Sequence, residues 1–120
     1  MACSDGILIG GKPNPRGWGT FARYLGVYSR ELGILRLEEV IRHISAAPAQ
    51  RLGLNDRGLV KEGLAADLVV FNPQTVIDKA TFEEPKKYPT GIDYVLVNGA
   101  VVVDGGKHTG KRNGRALSRA

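Results

Sequence analysis

The chain has 120 residues, of which 42% are apolar and 24% are charged, the size of one modest domain. It can bury a core but is too short for a complete α/β barrel of about 250 residues. No apolar run reaches the roughly 20 residues that cross a bilayer, so no membrane partner and a cytoplasmic location are expected. The single cysteine, Cys3, excludes an internal disulfide and is expected to be chemically inert.

The net charge of +5 comes from the C-terminal tail. All twelve acidic residues lie at or before Asp104, whereas five basic residues follow it: Lys107, Lys111, Arg112, Arg115 and Arg119. The tail has no aromatic residue on which a base could stack, so no nucleic-acid partner is expected. We expect a solvated tail, or one that pairs with an acidic surface elsewhere in a larger protein.

The first half of the chain is predicted to be helical after a short N-terminal strand. The stretch CSDGILIGG places a single acid, Asp5, at the predicted end of that strand. A first helix is capped by Thr20 and ended by Gly33. Its apolar residues recur at helical spacing: Phe21, Tyr24, Leu25, Tyr28 and Leu32.

A second helix is predicted to stop at Pro48, and a short turn closed by Gly53 follows it. One face of this helix is apolar: Leu37, Val40, Ile41 and Ile44.

The second half is predicted to form a sheet. Short β-rich runs are separated by glycine and proline at 67–71, 93–97 and 100–103. Asn98 and Gly99 join the last two runs and accept the positive φ angles of a type I′ turn, which predicts a β-hairpin with apolar side chains on both faces. The fold class is therefore α+β, with boundaries at 1–53 for the helical part, 54–104 for the strands and 105–120 for the basic tail.

Other motifs are better explained by structure than by chemistry. The stretch GGKHTGKR resembles a phosphate-binding loop, but Arg112 stands where that loop has its magnesium-binding hydroxyl. His43 and His108 lie far apart in sequence without companion ligands, so structural or solvent-exposed roles are expected. The adjacent pairs Glu38–Glu39 and Glu83–Glu84 diverge on any helix or strand and do not form a catalytic dyad.

Asp5 and Arg16 are the remaining candidates for a site. A carboxylate at the end of a strand, followed by an arginine-bearing loop and a helix, is typical of one βα unit at the working face of a parallel barrel. The planar guanidinium of Arg16 can bind a carboxylate through two hydrogen bonds. From the residues alone, an N-terminal turn with an ordinary cap and a surface arginine explains the stretch equally well.

Four segments carry a resemblance to a known family: SDG, PNPRGWGTFARYLGVYSRE, LEEVIRHISAAPAQRLGLNDRGLVKEGLAADLVVFNPQTVIDKATFEEP and GIDYVLVNGAVVVDGGKHTGKRNGRAL. Together they are similar to the C-terminal portion of the N-acyl-D-amino-acid deacylases, the D-aminoacylase branch of the metal-dependent amidohydrolase superfamily. ADLVVF followed by VNGAVVV is common to many amidohydrolases, whereas GTFARYLGVYSRE, ATFEEP and HTGKRNGR are more specific to this branch.

The resemblance implies a hydrolase that cleaves the amide C–N bond of N-acyl-D-amino acids, with zinc or another divalent metal in the full-length enzyme. Asp5 would be the catalytic general base near the metal and a possible metal ligand. Arg16 would bind the substrate's α-carboxylate. Residues 1–53 would come from the last βα unit of a TIM-like barrel, and the strands of 54–104 from the small β-sandwich beside it.

The family's histidine ligands have no counterpart in this sequence, so a C-terminal fragment is expected that binds no metal and is inactive alone. Relatives often have an HPxPR-like loop where this chain has KPNPR, and a proline at Ala22, which leaves the accepted amino acid open.

An alternative is a free-standing, non-catalytic binding or assembly module derived from the same fold. The fragment hypothesis requires upstream sequence with metal ligands, whereas the module would be complete at this length. On either hypothesis the helix faces and strand edges normally covered by the missing N-terminal barrel region are exposed, which predicts self-association.

Overall fold

The computed structural model describes residues 1–118, with helices in the first half and an antiparallel sheet in the second. The helical elements are α1 (Arg16–Arg23), a π-helical segment (Tyr24–Glu31) that continues it, α2 (Leu37–Ile44) and α3 (Ala46–Leu52). The strands are β1 (Leu68–Phe71), β2 (Ile92–Val97), β3 (Ala100–Asp104) and β4 (Lys107–His108). The four strands lie in chain order, each antiparallel to its neighbour. The α+β class is confirmed.

The first helix begins earlier than its sequence pattern indicates. Helix α1 starts at Arg16, whose backbone N–H donates to the side-chain oxygen of Asn14 at 3.0 Å, and the preceding Pro15 already has helical angles. Thr20 lies inside α1, where its hydroxyl donates to the carbonyl of Arg16 at 2.8 Å, so it is not the cap. Gly33, with a φ of 60°, follows the helical segment as predicted.

The second helix ends before Pro48, at a sharp break. Ser45 has φ −127° and ψ −80° and separates α2 from α3, and its hydroxyl donates to the carbonyl of Gly58 at 3.1 Å. Pro48 then lies in the first turn of α3, where the backbone needs no N–H donor. Gly53, with a φ of 70°, ends α3 as predicted.

The strand predicted to end near Asp5 is absent. Residues 1–9 adopt no regular secondary structure. A strand requires a neighbour that accepts and donates its backbone hydrogen bonds. The strands of the described chain pair in order with one another, whereas Ala2 donates its N–H to the carbonyl of His43 in α2 at 2.9 Å.

The predicted hairpin is present, but its sheet is incompletely covered. Asn98 and Gly99 form the turn between β2 and β3 with φ angles of 47° and 78°. Successive side chains of a strand point to opposite faces. Val69 and Val70 of β1 are 54% and 48% exposed, so both faces of the sheet are partly open to solvent in residues 1–118.

The core joins the helices to an irregular segment that precedes β2. Its buried members are Ala22, Leu25, Val40 and Val76. Val76 belongs to the segment 73–78, which we call the support segment because it lies against the first helix. Phe71 and Ile92 of the sheet pack against the same cluster. No helix in the described residues has the length and apolar character needed to cross a membrane.

The basic tail contacts an acid of its own chain. The side-chain amide of Asn98 donates to the carbonyl of Asn113 at 2.7 Å, and the guanidinium of Arg115 lies 3.6 Å from the carboxylate of Asp56. Hydrogen bonds from Arg57 lower the pKa of Asp56, which favours its charged form. The tail thus folds back on this chain, while Arg119 lies outside the described residues.

We expect Asn98→Gly to release the tail without disrupting the hairpin. Glycine accepts the positive φ of the turn but lacks the amide that binds Asn113. Loss of one hydrogen bond worth about 1 kcal/mol should raise the open population of the tail roughly fivefold. Limited trypsin digestion would measure this as faster cleavage after Lys111 and Arg112. Unchanged cleavage, with the melting curve of the sheet intact, would show that the amide does not hold the tail.

Candidate functional site

The structure brings the two predicted site residues into contact. The Nη2 atom of Arg16 lies 3.1 Å from the Oδ2 atom of Asp5. The side chains are 44% and 81% exposed, respectively. Both groups are therefore accessible to a ligand. Because exposed ion pairs contribute little to stability, a ligand can replace either partner at small cost.

The backbone at Asp5 has an uncommon conformation, and its carboxylate is exposed. Its φ of 48° lies in the left-handed region, which is uncommon for residues other than glycine. The N–H of Asp5 points to the Sγ atom of Cys3 at 3.4 Å, and the N–H of Gly6 donates to the Oγ atom of Ser4 at 3.3 Å. Cys3 is exposed and forms no disulfide.

Arg16 is positioned by the start of helix α1. Asn14 accepts the N–H of Arg16 with its side chain and the N–H of Gly17 with its carbonyl, at 3.0 and 3.2 Å. The carbonyl of Pro15 then accepts the N–H of Trp18 at 3.0 Å. These bonds fix the backbone from which the guanidinium extends toward Asp5.

The support segment holds the other side of α1. The carboxylate of Asp78, 9% exposed, lies 3.1 Å from the guanidinium of Arg23, and this hydrogen bond raises the pKa of Arg23. Gly19, one turn after Arg16, is buried against Asp78: a Cβ atom on Gly19 would lie 3.0 Å from that of Asp78. The helix that carries Arg16 is therefore anchored to the sheet half.

The remaining candidates lie outside this site. The ring of His43 contacts the side chain of Arg42, and the Nδ1 atom of His108 accepts the N–H of Gly110 at 2.9 Å. Lys107 and His108 form β4, so GGKHTGKR contains a short strand. Within residues 1–118, no three histidine, cysteine, aspartate or glutamate side chains lie close enough to hold a metal ion.

The ion pair of Asp5 and Arg16 lies on the protein surface, outside the two pockets described next. One surface pocket of about 570 Å³ is lined by Met1, Ala47, Gln50 and Arg51. Another, of about 350 Å³, lies between the tail and the loop after α3 and includes Asp56 and Arg115. Neither is lined by Asp5 or Arg16, so the described chain presents these two groups without enclosing them.

Residues 4–103 match the sequence model of the Amidohydrolase family. The chain belongs to this family. D-aminoacylase from Alcaligenes xylosoxydans xylosoxydans is 47% identical over 99% of this chain and 25% of its own length. A crystal structure of D-aminoacylase matches with a TM-score of 0.96 and 48% identity, over 99% of this chain and 25% of that chain.

A second structure is that of N-acyl-D-glutamate deacylase from Bordetella bronchiseptica, solved with zinc and a phosphonate mimic of the tetrahedral intermediate. It matches with a TM-score of 0.83 and 46% identity, over 85% of this chain and 22% of that chain. The predicted resemblance to the D-aminoacylase branch is confirmed. The chain spans about a quarter of the length of these relatives.

Sequence reasoning missed the residues that position the pair. Asn14 could have been found, because Asn-Pro is a turn-initiating dipeptide and stands directly before the helix. No sequence pattern predicted the role of Asp78, since its partner Arg23 is 55 residues away in sequence. The close approach of Gly6 to Gly17 likewise depends on the three-dimensional fold.

Proposed function

We propose that this chain is the C-terminal part of an enzyme that hydrolyses the amide bond of N-acyl-D-amino acids. The observation that carries the proposal is the 3.1 Å contact between Asp5 and Arg16 in a chain of the amidohydrolase family. An N-acyl amino acid carries its amide nitrogen and its carboxylate on the same carbon atom. A proton acceptor and a carboxylate-binding group therefore need to stand side by side.

The two residues have complementary roles in this proposal. Asp5 takes a proton from the attacking water and returns it to the leaving amine nitrogen. Arg16 binds the α-carboxylate of the substrate through two N–H donors. The substrate carboxylate would replace Asp5 as the partner of Arg16, which leaves the Asp5 carboxylate free beside the amide.

We propose zinc or another divalent metal for the complete enzyme, because the N-acyl-D-glutamate deacylase structure contains zinc. Residues 1–118 do not supply a ligand set, and zinc needs about three or four protein ligands. Most ligands would therefore come from the rest of the enzyme, with Asp5 as a possible contribution from this chain.

We propose that the chain contributes three parts to the complete enzyme. Residues 1–53 would end a TIM-like barrel, 54–104 would supply β-sandwich strands and 105–120 would form the tail. Ile7, Leu8 and Ile9 are 61%, 63% and 82% exposed, as expected if the N-terminal barrel region covers them in the complete enzyme. Without that region, we propose that the chain self-associates through its open apolar faces.

A chimera tests the function. This chain replaces the matching quarter of Alcaligenes D-aminoacylase, and the zinc-loaded protein is assayed with N-acetyl-D-amino acids and with their L-enantiomers as controls. We expect turnover of the D-substrates. A folded, zinc-loaded chimera without turnover would contradict the proposal and favour the non-catalytic module.

The variant Arg16→Lys separates substrate binding from chemistry in this chimera. Lysine keeps the charge but loses the two-pronged contact, so KM should rise about tenfold to a hundredfold while kcat changes little. Arg51→Lys, an exposed exchange on α3, is the matched control. Equal kinetics for the two variants would remove Arg16 from carboxylate binding.

A further inference from the structure

Two glycines lie next to the ion pair, one after each partner. Gly6 follows Asp5, and Gly17 follows Arg16 in the first turn of α1. A Cβ atom on Gly6 would lie 2.8 Å from the Cα atom of Gly17 and 3.5 Å from its backbone nitrogen. Carbon atoms pack best at about 3.5–4.0 Å, so the first distance leaves no room for a side chain.

The requirement for glycine at position 6 comes from contact and not from backbone conformation. The φ angle of Gly6 is not positive, so alanine could adopt the backbone angles of this position. Of the three nearest atoms that a Cβ atom on Gly6 would meet, one is the side-chain oxygen of Ser4 at 3.2 Å. The other two belong to the backbone of α1, which is fixed by the hydrogen bonds from Arg16 and Gly17 to Asn14. Backbone atoms cannot rotate away as the end of a side chain can.

We propose that Gly6 is a positioning residue: its missing side chain lets the backbone beside Asp5 lie directly against the first turn of α1, which holds the Asp5 carboxylate at Arg16. The inference deepens the proposed function, on which its catalytic meaning rests. The geometry itself is a property of the 120-residue chain and can be tested without any activity.

The expected displacement follows from the distances. A methyl group on Gly6 needs about 1 Å more space to reach normal van der Waals separation from Gly17. The 3.1 Å separation in the ion pair would then exceed hydrogen-bonding range. In an enzyme, a misplacement of about 1 Å can lower the rate about 100-fold.

The test compares Gly6→Ala with Gly11→Ala in the 120-residue chain. Gly11 lies in the same loop, its φ is not positive, and a Cβ atom there meets nothing within 4 Å. Solution NMR measures the nuclear Overhauser effects between the Hβ protons of Asp5 and the guanidinium protons of Arg16. Asp5→Asn gives the reference spectrum for a broken ion pair, and circular dichroism follows the melting temperature.

We expect the contacts between Asp5 and Arg16 to be lost in Gly6→Ala and retained in Gly11→Ala, with the melting temperature of both close to that of the parent. Gly17→Ala should also retain them, because its added methyl group meets just the end of the Leu8 side chain. Retained contacts in Gly6→Ala would overturn the proposal. So would general unfolding of that variant, since Gly6 would then be a structural residue.

A second readout links the geometry to catalysis. In the chimera, Gly6→Ala should lower kcat/KM about 100-fold relative to Gly11→Ala. Loss of the NMR contacts with an inactive parent chimera would leave the positioning role supported and reject the deacylase proposal. Loss of the contacts with full activity in Gly6→Ala would overturn the positioning role.

Discussion

Gly26→Ala is expected to destabilise the chain strongly, although alanine is the better helix former. In an exposed helix this exchange stabilises by about 1 kcal/mol. Gly26 is buried in the π-helical segment, where a Cβ atom would lie 2.5 Å from the carbonyl oxygen of Val76 and 2.6 Å from the side chain of Ile77. The predicted change in stability is therefore opposite in sign to the change expected from helix propensity.

The support segment cannot move aside to accept the methyl group. The carbonyl of Val76 accepts a hydrogen bond from Arg30 at 2.7 Å. The N–H of Val76 donates to the carbonyl of Asn72 at 2.9 Å. On another side lies Gly91, where a Cβ atom would be 2.5 Å from the nitrogen of Val76. Overpacking and a weakened Arg30 bond together should cost about 3 kcal/mol.

This destabilisation corresponds to a fall in melting temperature of about 10–20 °C for a chain of this size. Thermal unfolding followed by circular dichroism measures it. Gly17→Ala is the control, since that glycine is also helical but its added methyl group meets the movable end of Leu8. A Gly26→Ala variant that melts at or above the parent temperature would refute the close-packing argument.

Local signals predicted the elements whose geometry is set within a few residues. Asn98 and Gly99 specify a two-residue turn by their tolerance of positive φ, and Gly33 and Gly53 end helices for the same reason. The residue pattern named Asp5 and Arg16 as one candidate site and the family resemblance gave each its role, but their direct contact was not predicted. The ten residues between them leave many other arrangements open, so spacing alone did not decide their contact.

Long-range contacts explain what the sequence pattern did not reveal. The support segment has no regular structure, yet Val76 is fully buried and its carbonyl binds Arg30 across 46 residues of sequence. The π-helical geometry lacks a sequence signature as well. In it, Leu32 donates to the carbonyl of Val27 five residues earlier, and Gly26 provides the space for the segment to pack.

The predicted strand near Asp5 failed for a related reason. The segment that ends at Asp5 can form a strand only when neighbouring strands are available to pair with it. The strands of residues 1–118 pair with one another and not with this segment. We propose that the strands beside which it would pair lie in the rest of the enzyme.

Asp5→Asn should remove most of the activity of the chimera while leaving its fold intact. Asparagine matches aspartate in size and tolerates the left-handed φ of 48°. The exposed ion pair that it breaks contributes little to stability. An amide cannot take a proton from water, so kcat should fall by about 10² to 10⁴ with little change in KM.

Steady-state kinetics and zinc analysis of the same preparations separate the possible roles of Asp5. Asp104→Asn, an exposed exchange on β3, is the control for the loss of a negative charge. Loss of kcat with zinc retained would support Asp5 as the proton acceptor, whereas parallel loss of zinc and kcat would point to metal binding. If Asp5→Asn turned over substrate as fast as Asp104→Asn, the carboxylate beside Arg16 would have no part in catalysis, and their 3.1 Å contact would be a surface ion pair.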